Sequence, residues 1–493
     1  MMADVFSNPL ALAIIIPLLG GLGVAASGRI PNVREAVTLA TSLLLAVLVW
    51  SLLPQVLAGE VIELRLPAMA EGLGFAFTLE PLGMLFALVA STLWVINSVY
   101  SIGYMRGNKE QHQTRFYICF TIAIASVMGI AFAGNLLTLF FFYEALTLST
   151  YPLVTHKGDA KALAGGRVYI GLLLTTSVGF LLPAIIWTWS ATGTMDFVPG
   201  GILAGVLSGG AVGFLLFLYM IGIGKAALMP VHYWLPAAMV APTPVSALLH
   251  AVAVVKAGVF TVVKVVVYVF GVDLLAGEAS ASWLIYAAGF TIIVASLIAL
   301  RQDNLKKRLA FSTVSQLSYV ILAVALYVPA GIVAATLHIA AHAVGKITLF
   351  FAAGSIYTAA HKTEVSQLDG IGWRMPVTMT AFAVGALAMI GLPLTGGFIS
   401  KWYLVMGTLE AESLFALMVI MISTLLNAAY FLPIVYRAFF RPLPAKEAVA
   451  EMHGEAPLPI VLALSATAFL TILIFFVHAP LLELAEALLK GAP

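Results

Sequence analysis

Fourteen apolar runs, most near twenty residues long, follow one another along this chain. They lie at roughly 9–27, 36–58, 81–104, 116–133, 136–155, 168–190, 206–229, 245–270, 283–300, 309–327, 330–357, 376–407, 412–436 and 457–478. A bilayer core of about 30 Å is crossed by about 20 apolar residues in a helix. The runs are continuous rather than alternating, which favours helices over strands. The 493 residues include only 24 Lys and Arg and 22 Asp and Glu, 9% charged, against roughly 25% in a soluble domain. Too few charges remain to cover a soluble surface. A soluble enzyme, a disordered chain and a nucleic-acid binder are excluded. The expected fold class is an all-α polytopic membrane protein with fourteen transmembrane helices, its main partner surface being the lipid bilayer.

Lysine and arginine in the loops set the orientation. Loops after the odd-numbered spans hold 17 of them, while the other side, termini included, holds only Arg65 and Lys490. This asymmetry predicts both termini outside, odd loops in the cytoplasm, and a prokaryotic-type inner membrane. The start, Met1-Met2-Ala3-Asp4, has no basic n-region, so the first run is expected to be a retained span. The single cysteine, Cys119, sits inside an apolar run. It reads as a small buried hydrophobe, since one thiol makes neither an internal disulfide nor a cluster site.

Six charges lie inside predicted spans: Glu144, Lys225, Lys256, Lys264, Lys346 and Lys401. A mid-membrane charge costs about 2.5–3.5 kcal/mol on insertion scales. Six unpaired would cost on the order of 15–20 kcal/mol, above a typical total stability of about 5–15 kcal/mol. They are therefore expected to face the bundle interior, paired, hydrated or neutral. Lys264 is the exception, placed near the outer end of span 8 where snorkelling is cheap. Lys225 stands between Gly222, Gly224 and Pro230, and Lys401 follows Pro393, Gly396 and Gly397. Glycine and proline beside an intramembrane lysine point to broken helices with freed carbonyls, and two such breaks point to a repeat-built transporter. Glu144 is the one acid within the spans, set among aromatics, and a pairing with Lys225 is both a structural possibility and a proton switch.

Span 11 carries His338, His342 and Lys346 at steps of four. Each step advances about 400°, so the three form one stripe. Imidazoles titrate near neutrality and both give and take protons, which makes the stripe a relay. The competing reading is a set of buried histidines bonded to carbonyls. No metal site is expected, because no Cys or acid completes a ligand set there. Span 8 carries His250 and Lys256, about 120° apart on an ideal helix, so both line one pore only if the helix is irregular. Ser312, Ser315, Gln316 and Tyr319 form a polar stripe on span 10, suited to holding water or to gluing helices.

These residues carry a resemblance. Phe141-Phe142-Tyr143-Glu144, Lys225-Ala226-Ala227-Leu228-Met229-Pro230 with Trp234-Leu235-Pro236, and Pro242-Thr243-Pro244 through His250 are similar to motifs of the antiporter-like family. So are the run 303–317, the span 11 stripe, and Gly397-Phe398-Ile399-Ser400-Lys401. That family comprises membrane subunits of respiratory complex I, Mrp-type cation/proton antiporters and membrane-bound hydrogenases. The resemblance covers roughly residues 80–440. It implies two inverted five-helix repeats, with helices 7 and 12 broken. The expected organisation is 1–115 for helices 1–3, 116–270 for helices 4–8, 283–436 for helices 9–13, and 437–493 for a loop and helix 14. It implies Glu144 and Lys225 as the ion pair, Lys256 as central relay and Lys401 as exit lysine, with His250, His338, His342, Lys346, Ser312, Ser315 and Gln316 as proton relays. Where the family often has an acid after Trp-Leu-Pro, this chain has Ala237. Span 8 resembles the larger L-like or A-like subunits, whereas the length resembles M-like or D-like ones.

The expected function is a proton-translocating subunit of a multisubunit complex, Mrp-type and D-like or redox-driven. Its partners would be other membrane subunits, including paralogous antiporter-like ones. No cofactor and no redox centre of its own are expected, since cluster ligands, haem motif and dinucleotide-binding glycines are missing. A complex I subunit would leave the redox chemistry to partners. The rival classes are a redox enzyme in its own right, which would bind haem or flavin, a stand-alone solute transporter, active without partners, and a passive scaffold.

Overall fold

The computed structural model describes residues 7–68, 73–443 and 454–489, and the side chains of 249–252 fall outside the described set. Lys446 and Lys490, used above to assign sides, lie outside the described residues. Ten helices among the described residues are long and apolar enough to cross a bilayer. They are α1 (Pro9–Ala26), α2 (Pro31–Leu57), α3 (Pro81–Gly107), α4 (Gln113–Ala131), α5 (Leu136–Val154), α6 (Ala160–Thr192), α9 (Trp283–Arg301), α11 (Pro329–Ala360), α14 (Leu414–Phe440) and α15 (Leu458–Phe476).

The other four expected spans are shorter, broken or more polar, each for a visible reason. α7 (Gly210–Gly222) stops where Gly222 and Gly224 begin an irregular stretch that ends past Pro230. α8 (Val254–Lys264) is flanked by π-helical turns, Ser246–Ala253 and Val265–Phe270. α10 (Leu305–Val324) is a full 20 residues long, but its Lys-Lys-Arg first turn and its serine and glutamine stripe make it too polar to qualify on hydropathy. The run 376–407 divides into α12 (Pro376–Ile390) and α13 (Gly396–Glu410), separated by Gly391-Leu392-Pro393-Leu394-Thr395.

Local chemistry explains the helix starts. Proline occupies the first turn of α1, α2, α3, α11, α12 and α15, where its missing N–H costs nothing. Asn135, Asp159 and Asn304 accept from Thr138, Ala162 and Lys307 backbone N–H groups at 2.8, 2.6 and 3.1 Å, capping α5, α6 and α10. An antiparallel hairpin of β1 (Ile62–Arg65) and β2 (Ala76–Leu79) in the loop before α3 was not expected. It is tied down by Arg65, which pairs with Asp196 at 2.9 Å.

α11 is the axis of the molecule. The most apolar part of its 32 residues is entirely buried, whereas α1, α2, α14 and α15 each bury well under half of theirs. α11 packs on α3, α10, α12, α13 and α15. Its histidines and lysine are thus enclosed by helices on every side.

Candidate functional site: a buried line of lysines and histidines

The two breaks share a geometry. In the first, Ala227 holds φ 56°; in the second, Leu394 holds φ 69°. Non-glycine residues rarely take this left-handed conformation, and where they do the surroundings impose it, often at functional sites. The first break packs against α8 at Gly258, where a β-carbon would strike the backbone of Lys225 and Ala226. The second packs α13 on α12, where a β-carbon at Gly397 would strike the Ala388 carbonyl. Glycine is required at both close approaches. Pro230 lies inside the first irregular stretch, Pro393 inside the second, and Gly396 opens α13.

Each break holds its lysine on backbone carbonyls. Lys225 is fully buried; its Nζ donates to the Tyr143 carbonyl at 2.5 Å and lies 3.2 Å from the centre of the Tyr143 ring. Lys401 Nζ donates to the Met389 and Ile390 carbonyls at 3.0 and 2.8 Å. Those carbonyls are the unsatisfied last groups of α12, at the negative end of its dipole.

The expected direct pair of Lys225 with Glu144 is not formed. Both carboxylate oxygens of Glu144 are buried and make no hydrogen bond, and Lys225 turns to Tyr143 instead. Glu144 follows Tyr143 directly in α5, one residue from the carbonyl that holds Lys225. The sequence signal could not separate these outcomes, because neighbours on a helix point about 100° apart.

Between the breaks runs a chain of contacts. Lys256 Nζ meets His342 Nδ1 at 2.7 Å. The His342 and His338 rings stack with centroids 5.8 Å apart. His338 Nδ1 meets Ser400 Oγ at 2.9 Å, next in sequence to Lys401. Lys346 Nζ donates to Ser312 Oγ at 2.7 Å. The stripe on α11 therefore holds. The ideal-helix objection to α8 does not: the π-turn 246–253 shifts the face before Lys256 reaches His342, and π-turns recur at functional sites. The side chain of His250 lies outside the described residues.

The span 10 stripe divides. Ser312 joins Lys346, whereas Ser315 bonds Ser296 of α9 at 2.9 Å and serves to join helices. Gln316 is fully buried and neither of its polar atoms has a partner among the described residues.

Lys264 does not snorkel. It is wholly buried, with Nζ 3.2 Å from Glu80 and 2.5 Å from the Ala133 carbonyl, and with the Phe197 ring 4.4 Å away. Glu80, counted above among loop acids, precedes Pro81 at the start of α3 and is tucked inside. Glu144 is thus not the only acid available to a buried lysine. A glutamate beside a helix-opening proline was the signal that sequence reasoning passed over.

At the rim bearing the basic loops, some charges form ordinary pairs. Arg437 bonds Asp369 at 2.6 Å, and this hydrogen bond, with the guanidinium charge, holds the Asp369 carboxyl below the usual range. Ser366 does the same for Asp303 through a hydroxyl bond of 2.6 Å. Just past α5, His156 lies under Phe116; burial, reinforced by the Arg115 charge, pushes its imidazole down to about 4.

A family model described as "NADH:quinone oxidoreductase/Mrp antiporter, TM" matches residues 133–427, which include all of the central lysines and histidines. NADH-quinone oxidoreductase subunit N of Desulforudis audaxviator is 32% identical over 448 residues, 89% of this chain and 88% of the relative. A probable K(+)/H(+) antiporter protein of Rhizobium meliloti is 33% identical over 360 residues, but the chain spans only 35% of its length. Hydrogenase-4 component B of Escherichia coli is 31% identical over 366 residues, 71% of this chain and 53% of the relative. Among solved structures, a chain of the Mrp complex from Dietzia sp. DQ12-45-1b superposes with a TM-score of 0.85 at 23% identity, covering 98% of this chain and 97% of that one. A chain of the membrane-bound sulfane sulfur reductase, an archaeal respiratory membrane complex, also scores 0.85 at 23% identity, covering 99% and 98%. At this identity the superposition establishes the fold.

Proposed function

Because the chain belongs to the NADH:quinone oxidoreductase/Mrp antiporter transmembrane family, we propose that it is a proton-translocating subunit of a multisubunit membrane complex. Its ion path is the buried line Glu144, Lys225, Lys256, His342, His338, Ser400 and Lys401. One observation carries the reading: Lys256, His342, His338 and Ser400 follow one another in contact inside a helix bundle. Glue between helices calls for paired amides and hydroxyls, not for ammonium against imidazole.

The proposed mechanism is electrostatic. Glu144 moves onto or away from Lys225, and the charge on Lys225 then biases Lys256. A unit charge change at 6–7 Å in an effective dielectric near 20 is worth about 2.5 kcal/mol, nearly two pKa units at about 1.36 kcal/mol each. That biases Lys256 towards giving its proton to the His342 ring and onward. His250 belongs between Lys225 and Lys256 in this scheme. Lys346 and Ser312 form a side station, and Gln316 holds water beside the histidines. The topology that goes with it has fourteen crossings, α7 and α8 and the α12–α13 pair being broken or irregular ones, with residues 116–270 and 283–436 as inverted repeats. The left-handed residues at both breaks support this. Both termini would face outward from an inner membrane, with the 17 basic loop residues inside.

The test is the whole complex in proteoliposomes. Lys256→Ala is expected to abolish proton movement and His342→Ala to slow it sharply, while the complex assembles; normal transport in either would end the proposal. A second reading, a redox-driven complex of the NADH:quinone oxidoreductase type, is favoured by the 88% coverage of the subunit N relative. Copurifying flavin and iron–sulfur subunits would select it over an Mrp-type antiporter.

A further inference from the structure

α14 takes no part in the line described above, yet its buried face is polar. Ser423, Asn427 and Tyr430 stand four and three residues apart on one stripe, all fully buried. The Tyr430 hydroxyl lies 3.1 Å from Ser312 Oγ and beside the Asn427 side-chain oxygen, and its single hydrogen bonds one or the other. Ser312 in turn accepts from Lys346. At the other end, the Tyr319 hydroxyl lies beside Ser423, Thr424 and Asn427 without closing a hydrogen bond of good geometry to any of them. The Tyr319 ring stacks on His338 with centroids 5.5 Å apart, and Lys401 Nζ lies 5.1 Å from its centre. Hydroxyls and amides therefore extend from Lys346 to the ring that touches Lys401.

The polar atoms there are underused. Asn427 Nδ2, Ser423 Oγ, Tyr319 Oη and both polar atoms of Gln316 are buried with no partner among the described residues. Each, left bare, carries the desolvation penalty of an unbonded polar group. Hydroxyls that only join helices pair with each other, as Ser296 and Ser315 do at 2.9 Å. Buried polar clusters that the protein does not satisfy take up water, each molecule making two to four hydrogen bonds.

We propose that Ser423, Asn427 and Tyr430 of α14, with Tyr319 and Gln316, hold a short water chain that passes protons between Lys346 and Lys401. It forms a second limb beside His342, His338 and Ser400. The inference rests on the proposed lysine path. In one transfer, the Tyr430 O–H turns from Ser312 towards the water; the Lys346 ammonium then gives a proton to Ser312, whose own proton goes to the Tyr430 oxygen as the Tyr430 proton passes to the water. The last water gives one to the neutral Lys401 amine. One proton leaves Lys346, one arrives at Lys401, and every hydroxyl ends as it began. Asn427 does not ionise; it is a positioning residue for the water and for Tyr430.

The experiment uses the assembled complex in proteoliposomes, with proton transport followed by an internal pH dye from pH 5.5 to 9. Tyr430→Phe and Ser423→Ala each delete one oxygen with little change of volume, so assembly is expected to survive. Asn427→Leu removes the amide. Each is expected to slow transport at least fivefold, to move the pH of half-maximal rate, and to change the ratio of rates in H2O and D2O. Should Asn427→Leu fail to assemble, the two oxygen deletions decide. Full rates in both, or a slower rate with unchanged pH profile and isotope ratio, would overturn the second limb. Lys401→Ala separates the two levels: if it alone abolishes transport while the oxygen deletions do nothing, the lysine path stands and only the α14 limb falls. If Lys401→Ala transports normally, the lysine path itself falls.

Discussion

Lys264 and Lys401 are both buried lysines whose ammonium groups rest on main-chain carbonyls, but only Lys264 is also given a carboxylate. The difference separates a fixed charge from a movable one. With Glu80 at 3.2 Å, Lys264 has a full countercharge and an aromatic wall, and losing its proton would strand an anion. Lys401, Lys346 and Lys256 rest on carbonyls, a hydroxyl and an imidazole. These partners solvate an ammonium without demanding it, because a neutral amine is left among neutral groups. The same residue type, equally buried, acts as a clamp in one place and a carrier in the other.

The sharpest way to break this contrast is in transport. Lys401→Ala in the assembled complex is expected to lower proton movement by about a hundredfold or more, the scale on which a positioned proton-transfer group acts. Lys264→Met paired with Glu80→Leu is expected to leave transport within about a factor of ten on the same scale. Equal losses would erase the distinction. Stability is expected to show the reverse order. Glu80→Ala alone leaves Lys264 buried and unpaired, which costs about 3–5 kcal/mol. It is expected to cut the recovery of folded complex from detergent, while Lys401→Ala recovers normally. Restoration by the apolar double variant would show that the lone charge, rather than lost packing, is responsible.

A smaller effect concerns the support of the carriers. Gly258→Ala pushes α8 off the backbone of Lys225 and is expected to destabilise by about 1–3 kcal/mol, read as a lower thermal midpoint together with slower transport. A pH effect at the basic rim makes the control. His156, held down at about 4, is neutral in the fold but takes a proton at about 6.5 when unfolded. Below about 6.5 the unfolded chain binds the extra proton, so stability falls as the pH drops from 6.5 towards 4 and is constant above. The thermal midpoint is expected to decline over that window, and His156→Gln to flatten the decline without changing transport at pH 7.5.

Much of this was readable beforehand. Continuous apolar runs mark helices because each must satisfy its own backbone within lipid, and glycine and proline beside Lys225 and Lys401 marked the breaks. His338, His342 and Lys346 share a face by the arithmetic of one helix. The two misreadings involve pairs of helices: Glu144 was expected on Lys225, and Lys264 was expected near the membrane surface. For His250 and Lys256 the ideal-helix geometry gave way to a π-turn within their own helix. Ser423, Asn427 and Tyr430 went unread because, among the apolar residues of span 13, nothing local sets them apart from helix glue.

The chain alone therefore determined what each helix is: its length, its breaks, its polar stripe and its forbidden charges. These follow from backbone geometry and lipid exclusion, which act over a few residues. Only the tertiary structure decided which stripe meets which. Lys256 finds His342 across 86 residues, His338 finds Ser400 across 62, and Lys264 sits on Ala133 across 131. Such meetings depend on crossing angles and helix rotations that no single helix encodes. Whether a buried lysine is locked or free to give up its proton is settled by that last contact.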